Sequence, residues 1–93
     1  MYTTPLKDHV YIMGTRIKIT ISDTECSDAE ADGLYASEEI TLRSHYKSLE
    51  EYRRIYTHEC FHALHELLGV QLNTTVEEII AHRVSHMIAY EIF

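Results

Sequence analysis

The residues most capable of chemistry in this chain are His58-Glu59-Cys60-Phe61-His62, an H-E-x-x-H motif. On a helix, residues four apart share a face, so His58 and His62 would offer two imidazoles to one metal ion. Zinc suits such ligands, and a hydrolytic zinc site keeps one position open for water. Glu59 would be near enough to accept a proton from that water and pass it to a leaving amine. The motif therefore predicts a zinc-dependent peptide hydrolase.

A His-rich chain can contain this motif by chance, so the motif needs a helical context. Ser48 and Glu51 have the S-x-x-E spacing of a capping box, and Gly69 is suited to the left-handed residue after a helix. The pattern predicts a helix from Leu49 to about Leu68. Apolar residues at helical spacing form its expected core face: Leu49, Tyr56, Cys60, Leu64 and Leu67.

A second helix is predicted from Val76 to Phe93, with Thr74 and Glu77 as another capping box. Two histidines on one helix need a third protein ligand, which the following helix can supply. We expect this ligand to be Glu78, because Glu77 is already used by the cap.

His82 is the alternative third ligand, since it is four residues from His86 and the two could form a second histidine pair. A surface or hydrogen-bonded structural role is expected for the remaining histidines, although His65 could line the site. These are His9, His45, His65 and His86.

The combination of His58-Glu59-x-x-His62 with a downstream Glu78-x-x-Ala81 resembles the gluzincin class of zinc peptidases. The chain is most similar to the very small members, the minigluzincins and related small peptidases of phages and bacteria. The resemblance implies that Zn²⁺ is bound by His58, His62 and Glu78, that Glu59 is the catalytic base, and that the substrate is a peptide or protein.

Gluzincin peptidases also supply a His or Tyr that stabilises the tetrahedral oxyanion. His82 is the expected counterpart here, one turn beyond Glu78, and Tyr35 and Tyr90 are alternatives. In the same group a short sheet precedes the motif helix and its edge strand lines the cleft. We therefore expect the strand around Glu39 to Arg43 to be the edge nearest the zinc, where an extended peptide could pair with it.

The residues before the motif helix predict this sheet. Val10 to Ser22 alternates in two runs, with Gly14-Thr15 as the expected hairpin turn, and residues 34–36 and 38–43 form a further strand. Residues 23–33 are acidic and without periodicity, so we expect a loop. The fold class is α+β: one minimal zincin-like domain over residues 1–93, with a small antiparallel-rich sheet followed by two helices.

Composition excludes several classes of partner. A net charge of −7 without a Lys/Arg cluster argues against nucleic acid, and no apolar run is long enough to span a membrane. Two cysteines are too few for a disulfide framework, so a cytoplasmic location is expected. The resemblance to the small peptidases implies that the cell is a bacterium or a phage-infected host. The competing functions are a non-catalytic, zinc-stabilised structural or interaction module and a helical binding protein without metal.

Overall fold

The computed structural model describes residues 1–69 and 72–88 and has the predicted α+β fold. Strands β1 to β3 are Tyr2–Thr3, His9–Ile12 and Thr15–Ile21, and a short helix α1 (Asp23–Asp28) follows. Strands β4 to β6 are Gly33–Ala36, Glu39–Leu42 and His45–Tyr46, and helices α2 (Leu49–Leu68) and α3 (Thr74–Met87) complete the order.

The main sheet has four strands in the order β2-β3-β5-β4, and β1 pairs with β6 in a separate two-stranded ribbon. The pairs β2–β3 and β4–β5 are antiparallel hairpins, whereas β3 and β5 are parallel, with Ile19 opposite Ile40. Alternation along β3 buries Ile17 and Ile19. Together with Ile40 and Leu42 of β5, these residues form the sheet's side of the core, which α2 covers.

The first hairpin turn is one residue earlier than predicted. Thr15 already pairs with Ile12, so the turn residues are Met13 and Gly14. Their φ angles are 50° and 79°, both in the left-handed region, as a two-residue turn of the mirror-image type requires. The second hairpin turns through Ser37 and Glu38, also with positive φ, so the predicted single strand over residues 34–43 is two strands.

The prediction that residues 23–33 form only a loop is wrong, because they begin with α1. Ser22 caps this helix by accepting a hydrogen bond from the Glu25 amide. The Asp23 carboxylate accepts hydrogen bonds from Ser44, whose amide lies at 2.9 Å, and Cys26 is fully buried. One buried residue in a six-residue helix produces no periodic apolar pattern, which explains the missed helix.

Helix α2 confirms the predicted bounds and ends. The Ser48 hydroxyl accepts a hydrogen bond from the Glu51 amide at 3.1 Å, and Gly69 is left-handed with φ 70°. The most buried face differs slightly from the predicted one, since it carries Ile55, Glu59 and Ala63, while Tyr56 and Cys60 pack at its margin.

Helix α3 begins at Thr74, and its cap is Asn73 rather than Thr74. The Asn73 side chain accepts a hydrogen bond from the Val76 amide at 2.9 Å. Ala81 and Ser85 are buried, and the small side chain of Ala81 allows α3 to approach its neighbour α2. The predicted extension to Phe93, which includes Tyr90, lies outside the described residues. Among the helices described, none combines the length and the apolar character needed to cross a bilayer.

Strand β4 packs closely on α2 at Gly33. A Cβ atom at this position would lie 2.8 Å from Cγ2 of Ile55 and 3.2 Å from Cγ of Glu59, closer than such atoms approach without rearrangement. The absence of a side chain at Gly33 therefore allows the edge strand to lie directly against the motif helix.

We predict that Gly33→Ala destabilises the protein by about 1–3 kcal/mol, because the methyl group would force β4 away from α2. Ala36→Ser, an exposed substitution on the same strand, is the control and should change the free energy of unfolding by less than about 0.5 kcal/mol. Urea denaturation of both variants measures the difference. Equal midpoints for Gly33→Ala and the control would contradict this packing.

Candidate metal centre and cleft

A cleft of about 570 Å³ lies beside α2, between β4 and the first turns of α3. Strand β4 is at the edge of the sheet, with β5 on one side and no strand on the other among the described residues. Strand β5 is inside the sheet, between β3 and β4. The expectation that Glu39 to Arg43 forms the edge nearest the site is therefore wrong, and Gly33–Ala36 has that position.

Three residues predicted to bind metal come together in this cleft. Nε2 of His58 lies 3.2 Å from Oε2 of Glu78, and Nε2 of His62 lies 3.0 Å from Oε1 of the same carboxylate. The two rings are 4.9 Å apart, and one ligand atom from each of the three residues lies within 4.8 Å of the others. The i, i+4 spacing on α2 and the first turn of α3 produce this convergence.

The donor set is chemically compatible with zinc. Zinc–nitrogen and zinc–oxygen bonds of about 2.0–2.2 Å in a tetrahedron separate neighbouring ligand atoms by roughly 3.3–3.5 Å. The two histidines contact different oxygens of Glu78, and one ligand atom from each residue lies within 4.8 Å of the others, so a bound ion would draw the three groups closer together. Imidazole and carboxylate contacts of this kind also occur as ion pairs, so the cluster permits a metal site without requiring one.

The electrostatic environment favours the neutral form of His58, which is the form that binds metals. Burial lowers the pKa of His58, and the positive charge of His62 lowers it further, against the opposing effect of the Glu78 carboxylate. Arg54, one turn earlier on α2, adds a smaller effect in the same direction as burial.

Glu77 has a different role from the predicted helix cap. The Nδ1–H of His62 donates to Oε2 of Glu77 at 2.5 Å, and Nδ1 of His65 lies 3.4 Å from Oε1. With its Nδ1 bonded to Glu77 in this way, His62 directs Nε2 towards Glu78, and in the neutral ring Nε2 is the nitrogen available to a metal ion. Sequence reasoning missed this contact because the T-x-x-E pattern offered a local use for Glu77.

Glu59 lines the same cleft and is 7% exposed. Its carboxyl group makes no hydrogen bond or ion pair with any residue in the described part of the chain. Burial raises the pKa of Glu59 to about 7, although the charge of His62 opposes the shift. A carboxyl group with this pKa can both accept and release a proton near neutral pH.

The structure does not bring His82 into this cleft. His82 is exposed and lines a separate depression with Arg83, His86 and Met87. His65 and Tyr35 do line the cleft, and so does Arg54, which sequence reasoning did not identify. Its position four residues before His58 is the signal that could have located it on the cleft face.

No protein-family model matches this chain, and neither the curated proteins nor the solved structures include a significant match. The resemblance to gluzincins therefore depends on the motif residues themselves.

We predict that Glu78→Gln weakens zinc binding at least 100-fold, because it removes a charged ligand. Glu77→Gln should weaken it about tenfold through the loss of the hydrogen bond that orients His62. His82→Ala, outside the cleft, is the control and should leave zinc affinity unchanged. Zinc titration of the three variants measures the order. If His82→Ala alone loses zinc, the third ligand is a histidine and the arrangement around Glu78 is an ion pair.

Proposed function

We propose that this protein is a zinc-dependent peptidase in which Glu59 is the general base. The observation that carries the proposal is the buried Glu59 carboxyl group, which has no partner among the described residues and lies in the same cleft as the His58, His62 and Glu78 cluster. Burying an unpaired carboxyl group is unfavourable for folding, and such groups concentrate at functional sites.

His58, His62 and Glu78 would hold the ion. Zinc supplies a Lewis acid that polarises a carbonyl group and makes a water molecule easier to deprotonate near neutral pH. Glu77 keeps His62 oriented, and the depressed pKa of His58 keeps that ring available as a ligand.

Glu59 would carry the proton through the reaction. Its carboxylate accepts a proton from the attacking water, and the protonated form then donates to the amine that leaves. Burial raises the pKa of Glu59, which favours its taking up a proton. An amide at this position could not accept the proton.

Strand β4 would bind the substrate. Its outer edge pairs with no strand among residues 1–69 and 72–88 and forms a wall of the cleft, so an extended peptide could add to the sheet through main-chain hydrogen bonds. The two free cysteines, Cys26 and Cys60, are in keeping with the further proposal of a cytoplasmic location in a bacterial or phage-infected cell.

Tyr35 is better placed than His82 to be the oxyanion donor, since Tyr35 lines the cleft and His82 does not. The Tyr35 hydroxyl lies near the Glu66 carboxylate, and burial, together with that carboxylate, raises its pKa. The hydroxyl therefore stays protonated and able to donate.

We expect Glu59→Gln to bind zinc with unchanged stoichiometry and to lose peptide hydrolysis by at least about 1000-fold, because the amide cannot accept a proton. Glu50→Gln, an exposed change on the same helix, is the matched control and should hydrolyse peptides like wild type. Elemental analysis and a peptidase assay measure both properties. Zinc bound at one equivalent without hydrolysis by wild type would instead indicate a zinc-stabilised structural module.

We also expect Tyr35→Phe to lower kcat about 100-fold, since one oxyanion donor is lost, while KM and zinc affinity change little. His82→Ala serves as its comparison in the same steady-state assay. If Tyr35→Phe has an unchanged kcat and His82→Ala a lowered one, His82 is the oxyanion donor, as expected from the sequence.

A further inference from the structure

Arg54 is a partly buried cation in a cleft whose other charged side chains are mostly acidic. Its guanidinium makes no hydrogen bond or ion pair with the residues that the structure describes. Asp32, an acidic residue of the same cleft, is paired instead with Arg43 at 3.6 Å. An arginine that lines a cleft without a carboxylate partner is suited to bind an anionic group of a ligand.

Helix α2 gives the cleft opposite charges at its two ends. Arg54, His58, His62 and Glu66 recur every four residues and all line the cleft. At 1.5 Å per residue, Arg54 and Glu66 are about 18 Å apart along the axis, with the two histidines between them. An extended peptide covers that distance with roughly five residues. A bound peptide would therefore meet a cation at one end and carboxylates at the other.

The direction of β4 determines which end of a peptide reaches Arg54. Gly33, at the start of the strand, lies against Ile55 and Glu59, whereas Tyr35 lies near the Glu66 carboxylate further along α2. Strand β4 and α2 therefore run in the same sense. A peptide that pairs antiparallel to β4, the slightly more stable arrangement, places its carboxyl-terminal side at Arg54.

We propose that Arg54 binds a carboxylate of the substrate, located two or three residues beyond the scissile bond. This inference rests on the proposed peptidase function for the position of the scissile bond, and it names the substrate class as peptides that are acidic on that side. The carboxylate could belong to an Asp or Glu side chain or to the chain terminus. Glu66 and Glu77, at the far end, disfavour the same charge on the amino-terminal side.

Binding of short peptides to Glu59→Gln, with and without one equivalent of zinc, tests the proposal without cleavage. The probes are N-acetylated, fluorescently labelled six-residue alanine peptides with one Glu, Gln or Lys near either end. Each is made with a free or an amidated carboxyl terminus, which separates side-chain from terminal carboxylates. We expect Glu near the carboxyl end to bind about tenfold more tightly than Gln, as measured by fluorescence anisotropy.

Adding Arg54→Gln should abolish this preference, and Arg54→Glu should reverse it in favour of Lys. Lys47→Gln, which removes an exposed cation outside the cleft, should preserve it. A preference that survives Arg54→Gln, a preference for Glu near the amino end, or no binding of any peptide would overturn the proposal. If wild type hydrolyses peptides but Glu near the carboxyl end does not improve binding, the role of Arg54 is excluded and the peptidase proposal stands. If Glu near the carboxyl end improves binding but the protein neither binds zinc nor hydrolyses peptides, the peptidase proposal is excluded and Arg54 remains a carboxylate-binding residue.

Discussion

The close contact between β4 and α2 at Gly33 is the constraint on which the candidate site depends. Because Gly33 has no side chain, the backbone of the edge strand lies against Ile55 and Glu59. This contact covers Glu59 and keeps its carboxyl group away from solvent, while the outer edge of β4 remains open to the cleft. One missing methyl group thus links the burial of the proposed base to the position of the proposed substrate strand.

Two adjacent glutamates on α3 contact different nitrogens of one histidine. Glu77 accepts a hydrogen bond from Nδ1 of His62, and Glu78 lies beside Nε2 of the same ring. Neighbouring residues on a helix differ by about 100° in direction, so α3 must cross α2 closely for both carboxylates to reach His62. Burial of the small Ala81 is consistent with that approach. The orientation of His62 is therefore defined from both sides by a single turn of the opposite helix.

The parts of the fold that could be predicted from the sequence are those with local signals. Helix α2 has twenty residues, a serine cap and a terminal glycine, and His58 and His62 are one turn apart, so both the helix and this pair of imidazoles were predictable. Helix α1 was not, because it depends on the distant Ser44 and on burial of Cys26. Asn73 and Thr74 are both good caps, so the sequence could not identify Asn73 as the residue that caps α3. The contact of Glu77 with His62 could not be predicted either, because it depends on how α3 packs against α2.

The attachment of α3 has a consequence for how the protein would respond to its metal supply. In the part of the chain that the structure describes, α3 makes its substantial contacts with α2 alone. A helix held by one neighbour opens at lower free energy than the sheet and the core beneath it. An ion bound jointly by both helices would add its binding free energy to the cost of that opening. The same three ligands would then hold α3 against α2 through the ion. Removal of the ion by a chelator would first release α3, which carries Glu78, while the sheet and α2 stay folded.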